Sequence, residues 1–193
     1  MDATDGIELA VLRAERGSKM GSAETLEEIF RAEYPRLVGI VVRVTGDRAR
    51  ADEVVSEAFY KLAQRPALFR PRNNIQGWLF RTATNLGLNA LKADLRRRRH
   101  ETEAARNAAH SSRPPANALE DLLGTERQRR VREVLASLEP RSAQLLLLQQ
   151  AGFSYRELAL ALKINPNSVG QLLLRAAAQF KKEFNRQSEA GNE

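Results

Sequence analysis

The stretch SYRELALALKINPNSVGQLLLRA, residues 154–176, contains the start and end patterns of two short helices joined by a tight turn. Ser154 followed by Glu157 is a capping box, which predicts that a helix begins here. Residues 163–165 predict the turn, and Pro166 suits the first position of the next helix. The stretch therefore predicts a helix-turn-helix, to which an ordinary helical hairpin is the alternative.

Helical periodicity extends over most of the remaining chain. Hydrophobic residues make up 42% of the sequence, and one predicted helix carries a continuous apolar stripe: Ala51, Val54, Val55, Ala58, Phe59 and Leu62. Another helix is predicted from Thr25, a third from about Ile75 to the arginine cluster 96–99, and four further segments after Glu126.

The composition changes between these groups of helices, where Pro114 and Pro115 lie in a segment rich in Ala, Ser and Asn. The predicted fold class is all-α, with two small helical domains joined by a flexible linker and the helix-turn-helix in the second. The predicted boundaries are 1–22 for a loosely ordered N-terminal segment, 23–99 for the first domain, 100–125 for the linker, 126–187 for the second domain and 188–193 for a tail. The sequence leaves open whether the two domains pack together.

The charge of the chain favours a polyanionic partner, because 31 Lys and Arg against 24 Asp and Glu give a formal net charge of +7. The sequence contains no cysteine, and its two histidines, His100 and His110, show no metal-ligand spacing. Without a nucleophile constellation or a phosphate-binding glycine loop, we expect no enzyme, cofactor, metal site or small-molecule substrate. The longest apolar run, Leu145–Leu148, is too short to span a bilayer, so we expect a cytoplasmic protein without direct membrane insertion.

The second helix of the predicted helix-turn-helix begins with polar side chains that suit duplex DNA. Asn167 and Gln171 carry amides that can bond adenine bidentately, with Ser168 beside them. Arg175 can reach guanine or phosphate, and Lys163 adds a phosphate contact.

The helix that starts near Ile75 has a polar stripe that suits a single-stranded nucleic acid. Its members are Arg81, Asn85, Asn89, Lys92 and Arg96, and the loop before the helix adds Phe69, Arg70, Arg72, Asn73 and Asn74. Trp78 offers a stacking surface, but it also lies on the apolar stripe, and a core position is favoured. The arginine cluster 96–99 has a solvated helix end as its alternative.

The predicted helix that Asp47 caps and Pro66 stops has an acidic face on this otherwise basic chain. Its polar members are Asp52, Glu53, Ser56 and Glu57. DNA would be repelled there, so a basic protein surface is the predicted partner, with a solvated amphipathic face as the alternative.

Three stretches together resemble the sigma factors of bacterial RNA polymerase. GDRARADEVVSEAFYKL (46–62) looks like their core-polymerase-binding segment, and NNIQGWLFRTATNLGLNALK (73–92) looks like their promoter-melting helix. LEPRSAQLLLLQQAGFSYRELALALKINPNSV (138–169) is similar to their second DNA-binding domain. Two such domains and a short linker resemble an extracytoplasmic-function sigma factor.

The resemblance implies roles for these surfaces. The acidic face would bind the clamp helices of core RNA polymerase, and the loop and stripe would capture the melted −10 promoter strand. The helix-turn-helix would bind the −35 element, and an anti-sigma factor is a further partner that the family suggests. A stand-alone helix-turn-helix transcription regulator, which would not need the acidic face, is the alternative function.

The chain departs from the resembled family in the last predicted helix. Basic side chains are usual near positions 170, 172 and 174, where this chain has Gly170, Leu172 and Leu174. We therefore expect weak −35 binding in the absence of polymerase. The competing hypothesis is that Leu172 and Leu174 form part of a docking surface for an inhibitory protein.

Overall fold

The computed structural model describes residues 25–70, 73–108 and 119–190. The predictions for the segment 1–22, for Arg72, for residues 109–118 of the linker and for residues 191–193 of the tail lie outside these residues. Within the described ranges the chain forms seven α-helices, two short 3₁₀ turns and no strand. The all-α prediction is confirmed.

The first three helices pack around a common apolar core. Helix α1 spans Leu26–Thr45, α2 spans Arg48–Ala63 and α3 spans Ile75–Ala108. Gly46 ends α1 with φ at 74°, a left-handed conformation that glycine adopts readily, and Asp47 caps α2 by accepting a hydrogen bond from the Arg50 N–H at 2.7 Å. The predicted stripe of α2 is buried in full: Ala51, Val54, Val55, Ala58, Phe59 and Leu62.

Helix α3 is longer than its sequence pattern suggested. We predicted its end at the arginine cluster 96–99, but its 34 residues continue to Ala108. Residues 100–108 contain neither glycine nor proline, so nothing in them stops helix propagation. The change from an apolar to a polar composition was a poor guide to the end of this helix.

The second group of helices contains the helix-turn-helix. Helices α4 to α7 span Leu119–Ser137, Pro140–Gln150, Tyr155–Leu162 and Val169–Ala190. The capping box of α6 forms as predicted, with the Ser154 and Glu157 side chains each bonded to the backbone N–H of the other residue. Lys163 makes the turn with φ at 54°, and a 3₁₀ turn over Pro166–Ser168 leads into α7.

The two groups of helices pack against each other through α3, which contacts both α5 and α6. Where α3 and α6 cross, a Cβ atom on Gly77 would meet the Asn74 side-chain amide and would lie 2.9 Å from the Cα atom of Ala161, so this position requires a glycine. Beside it, the rings of Phe80 and Phe153 meet edge to face at 4.8 Å between centroids, and the Arg36 guanidinium lies 4.5 Å from the Phe153 centroid. The described halves therefore share one core, which answers the question that the sequence left open.

Candidate nucleic-acid and protein interfaces

The acidic residues of α2 lie together on its solvent side, as the sequence predicted. Glu53 and Glu57 are exposed, and Asp52 and Ser56 are half-buried at their edge. Each carboxylate has a basic neighbour on its own helix: Arg48 bonds Asp52 at 3.2 Å, Arg50 bonds Glu53 at 2.6 Å and Lys61 pairs with Glu57 at 3.1 Å. Exposed pairs of this kind contribute about 0.3–0.5 kcal/mol each, so a stronger basic partner can displace them.

Tyr34 supports this face from α1, and sequence reasoning did not identify it. Its hydroxyl donates a hydrogen bond to Asp52 Oδ1 at 3.0 Å. Burial and the neighbouring Asp52 carboxylate raise the pKa of the Tyr34 phenol above its ordinary value. Eighteen residues separate the two side chains, and no local pattern links them, so only the packing of α1 on α2 reveals the contact.

An open groove of about 390 Å³ lies between α2 and α3. Glu53 and Glu57 line its α2 side, and Asn89 lies on the opposite wall. The groove continues the acidic face toward the polar stripe of α3. A partner that binds the α2 face can therefore also reach the exposed side of α3.

The loop before α3 uses several of the predicted nucleic-acid residues to hold its own shape. The Asn73 amide donates to the Ala67 carbonyl at 2.8 Å, and Asn74 Oδ1 accepts from the Gly77 N–H at 2.8 Å. Phe69 is half-buried against the core, whereas Arg70 is exposed. Asn73 and Asn74 thus position the loop and the start of α3, although both remain exposed.

Trp78 also belongs partly to the core. It is half-buried against the apolar cluster, in agreement with the favoured prediction, and the Arg65 guanidinium lies 5.3 Å from the indole centroid. The tryptophan face next to Arg65 is already occupied by a cation. Stacking of a base on that face would require Arg65 to move.

The polar stripe of α3 meets α5 at Gln144, a buried side chain that the sequence did not single out. Its amide nitrogen lies 3.0 Å from Asn85 Oδ1, 3.1 Å from the Arg81 carbonyl and 3.3 Å from Thr84 Oγ1. Gln144 is 5% exposed, so these contacts replace its contacts with water. Farther along the stripe, Lys92 is half-buried and Arg96 is exposed, beyond the contacts of Gln144.

The helix-turn-helix presents its predicted DNA-facing residues to solvent. Lys163, Asn167, Gln171 and Arg175 are exposed, and Ser168 is half-buried. On the opposite side of α7 the core positions are Val169, Leu173 and Ala176. The packing of the two halves therefore leaves this face uncovered while it places α5 and α6 against α3.

The three leucines of α7 have different environments. Leu173 is buried, and Leu172 is half-buried against the core, as expected for a residue that turns inward. Leu174 is 73% exposed. Packing against the core thus largely explains why position 172 is a leucine, but it does not explain the leucine at position 174.

Among residues 25–70, 73–108 and 119–190, no group of three or more His, Cys, Asp or Glu residues could hold a metal ion. Within the same ranges, no helix is both long enough and apolar enough to cross a membrane.

Comparison with protein families gives two matches, one in each half of the chain. Residues 29–99 match the family model of sigma-70 region 2, and residues 128–180 match that of sigma-70 region 4. The matched ranges contain the α2 face, the α3 stripe and the helix-turn-helix.

Among characterised relatives, the ECF RNA polymerase sigma factor EcfG of Rhodopseudomonas palustris is 28% identical over 144 residues, which cover 72% of this chain and 74% of that protein. RNA polymerase sigma factor CarQ of Myxococcus xanthus is 24% identical over 163 residues, which cover 84% of this chain and 88% of that protein. The solved structure of CnrH in complex with the cytosolic domain of CnrY matches with a TM-score of 0.54 and 18% identity, over 96% of this chain and 99% of that one. At that identity the structural match shows a common fold.

Proposed function

Because this chain belongs to the sigma-70 family and is an extracytoplasmic-function sigma factor, we propose that it recruits core RNA polymerase to promoters through the three surfaces described above. Its function is that of an RNA polymerase sigma factor, a specificity subunit of transcription initiation. The proposal assigns a role to each surface. Its main support is that one chain combines an acidic protein-binding face with an uncovered, cationic helix-turn-helix.

The α2 face is the proposed contact with core polymerase. Glu53 and Glu57 are exposed and held only by pairs within α2, so a basic surface can replace Arg50 and Lys61 as their partners. Asp52 is tied to Tyr34 and Arg48, which gives the edge of the face a fixed shape. The α2 face therefore combines two carboxylates whose ion-pair partners can be exchanged, Glu53 and Glu57, with one that hydrogen bonds hold in place, Asp52.

The α3 stripe is the proposed contact with the melted −10 strand. The contacts of Gln144 with Arg81 and Asn85 place α5 over the first part of this stripe. A strand that bonds Asn85 Oδ1 has to displace the Gln144 amide, and separation of the two halves there would free that oxygen. Polymerase binding would favour the separated arrangement if it holds the halves apart.

The helix-turn-helix is the proposed contact with the −35 element, and it needs no such rearrangement because its face is already exposed. Asn167 and Gln171 would contact base edges, while Lys163 and Arg175 would contact phosphates. Binding to duplex DNA is therefore compatible with the packed arrangement, whereas a melted strand would compete with Gln144 for Asn85 Oδ1.

We further propose that this chain works in the cytoplasm, with DNA and core polymerase, and that an anti-sigma factor controls it. The CnrH structure contains the cytosolic domain of CnrY as a bound partner. A protein that bound across both halves of the present chain would keep α5 and α6 on α3 and so hold the −10 surface covered.

A transcription assay tests the proposed function. Core polymerase would be incubated with bacterial genomic fragments, with and without the full chain, and the RNA 5′ ends would be sequenced. We expect a new set of start sites that share a bipartite upstream sequence. Identical start sites in both reactions, together with DNA binding by the chain alone, would instead support a stand-alone regulator.

A further inference from the structure

Leu174 is the most exposed of the large hydrophobic side chains in the described part of the chain, at 73%. It lies on the solvent side of α7, one turn after Gln171 and one turn before Ala178, both of which are also exposed. Val169, Leu173 and Ala176 occupy the opposite, buried side. Leu174 therefore shares a face with the proposed base-reading residues and makes no contribution to the core.

The surroundings of Leu174 suit DNA better than a protein partner. The ionisable residues that α7 carries before Glu183 are Arg175, Lys181 and Lys182, all cations and all exposed. The exposed large apolar side chains of the helix-turn-helix are Leu174, Leu160 and Tyr155, and the Tyr155 ring lies 3.5 Å from the position of a Cβ atom on Gly170. A stable protein interface buries about 800 Å² on each partner, far more than three such side chains provide.

In the major groove, an apolar side chain on the reading face has one distinctive contact, the C5 methyl group of thymine. An adenine on the opposite strand presents N6 and N7, which a glutamine amide bonds bidentately. Gln171 and Leu174 are three residues apart and thus neighbours on one helix face. Together they match an A·T-containing step, one side chain reading the adenine edge and the other the methyl group.

We propose that Leu174 is a specificity-determining residue of this sigma factor, which selects thymine in the −35 element by contact with its C5 methyl group. This inference rests on the proposed function, because it assumes that the helix-turn-helix binds promoter DNA. It explains a leucine where a phosphate-binding cation is usual in the resembled family. At this position, a charged contact with phosphate, which does not depend on the base sequence, is replaced by an apolar contact with one base.

The test uses the full chain assembled with core polymerase and a pool of promoter-length duplexes randomised in the upstream element. The most enriched duplex would be resynthesised with uracil in place of thymine at one position at a time, which removes only the methyl group. We expect one position at which uracil weakens binding about fourfold, the effect of one buried methyl group. The Leu174→Ala chain should bind the thymine and uracil duplexes equally at that position.

Leu160→Ala is the matched control, because Leu160 is also exposed, at 57%, but lies on α6. This variant should keep the full preference for thymine over uracil. Equal melting temperatures of the wild type and both variants would establish that the fold is intact, as expected for exposed positions.

Two results would overturn the proposal: the absence of any thymine whose methyl group matters to the wild type, or an unchanged preference for thymine in Leu174→Ala. The first would assign Leu174 to a protein contact. If the assembly enriched no sequence beyond core polymerase alone, the sigma-factor function itself would fail. That failure can be told apart from failure of the Leu174 proposal, because thymine and uracil are compared only on a duplex that the assembly has enriched.

Discussion

The buried amide nitrogen of Gln144 on α5 lies 3.0 Å from the amide oxygen of Asn85 on α3, across the boundary between the two halves of the chain. The same nitrogen reaches the Arg81 carbonyl and the Thr84 hydroxyl. One side chain of the half that contains the helix-turn-helix thus occupies polar groups of the proposed −10 surface. This contact links the packing of the two halves to promoter capture.

Replacing Gln144 by glutamate should separate the halves. A carboxylate at this buried position cannot donate a hydrogen bond, and it would face Asn85 Oδ1 and the Arg81 carbonyl oxygen, which are also acceptors. Gln144→Ala only removes the amide, which costs about 1 kcal/mol of hydrogen bonding. Small-angle scattering should show a larger radius of gyration for Gln144→Glu and a smaller change for Gln144→Ala. Gln149→Glu on the exposed side of α5 is the control, and an equal expansion there would contradict the account.

Alanine substitutions of two helical glycines should have opposite effects on stability. At Gly39, nothing lies within 4 Å of a new Cβ atom, so Gly39→Ala should stabilise the chain by up to about 1 kcal/mol through helix propensity. At Gly77, the Cβ would meet the Asn74 side-chain amide and, at 2.9 Å, the Ala161 backbone, so Gly77→Ala should destabilise by about 1–3 kcal/mol through overpacking. Urea denaturation measures both, and stabilisation by Gly77→Ala would mean that α6 does not cross α3 so closely.

The capping box of α6 should make stability depend on pH. Hydrogen bonds from the Ser154 hydroxyl and backbone N–H lower the pKa of Glu157 below its ordinary value. Because the pKa of this carboxyl is lower in the folded chain than in the unfolded chain, ionised Glu157 stabilises the fold at any pH above the unfolded-state pKa. This stabilisation is lost as the pH falls through the folded-state pKa. Glu157→Ala should therefore lower the melting temperature at neutral pH and have little further effect in acid.

Glu139→Ala is the control for this titration, because the Glu139 side chain makes no capping hydrogen bond at the start of α5. The capping box of Glu157 is intact in this variant, so Glu139→Ala should retain the loss of stability that protonation of Glu157 causes in the wild type. A difference between wild type and Glu157→Ala that grew in acid would have the wrong sign for a stabilising carboxylate.

The chain without polymerase should bind duplex DNA weakly and with a shallow dependence on salt, because Leu174 replaces a cation on the reading face. Leu174→Lys should add one phosphate contact and make the slope of log K against log salt steeper by about 0.9. Fluorescence anisotropy of a labelled duplex in increasing KCl measures both slopes. A wild-type slope that corresponds to many released counterions would contradict this prediction.

Much of the fold could be predicted from sequence because its determinants are local. Capping residues such as Ser154 and Asp47 act within three positions of their partners, and the buried stripe of α2 follows helical periodicity. These features specify helices and their inward faces. The same periodicity placed Leu172 toward the core and Leu174 on the DNA-facing side.

The contacts between helices could not be predicted in this way. Gln144 contacts Asn85, 59 positions earlier in the chain, and a glutamine does not by itself indicate a buried position. Gly77 has no side chain to show that another helix crosses it. The packing that covers the α3 stripe therefore comes from long-range shape complementarity, which a single sequence does not display. The proposed roles of the surface residues stay predictions.

Binding to core RNA polymerase tests the central claim most directly. Labelled core polymerase would be titrated with the full wild-type chain, with a Glu53→Lys, Glu57→Lys variant and with a Glu27→Lys, Glu139→Lys variant that has the same change in charge outside α2. We predict tight binding of the wild type, binding about tenfold weaker for the α2 variant and little change for the control. Equal affinity of all three chains, or no binding by the folded wild type, would contradict the account.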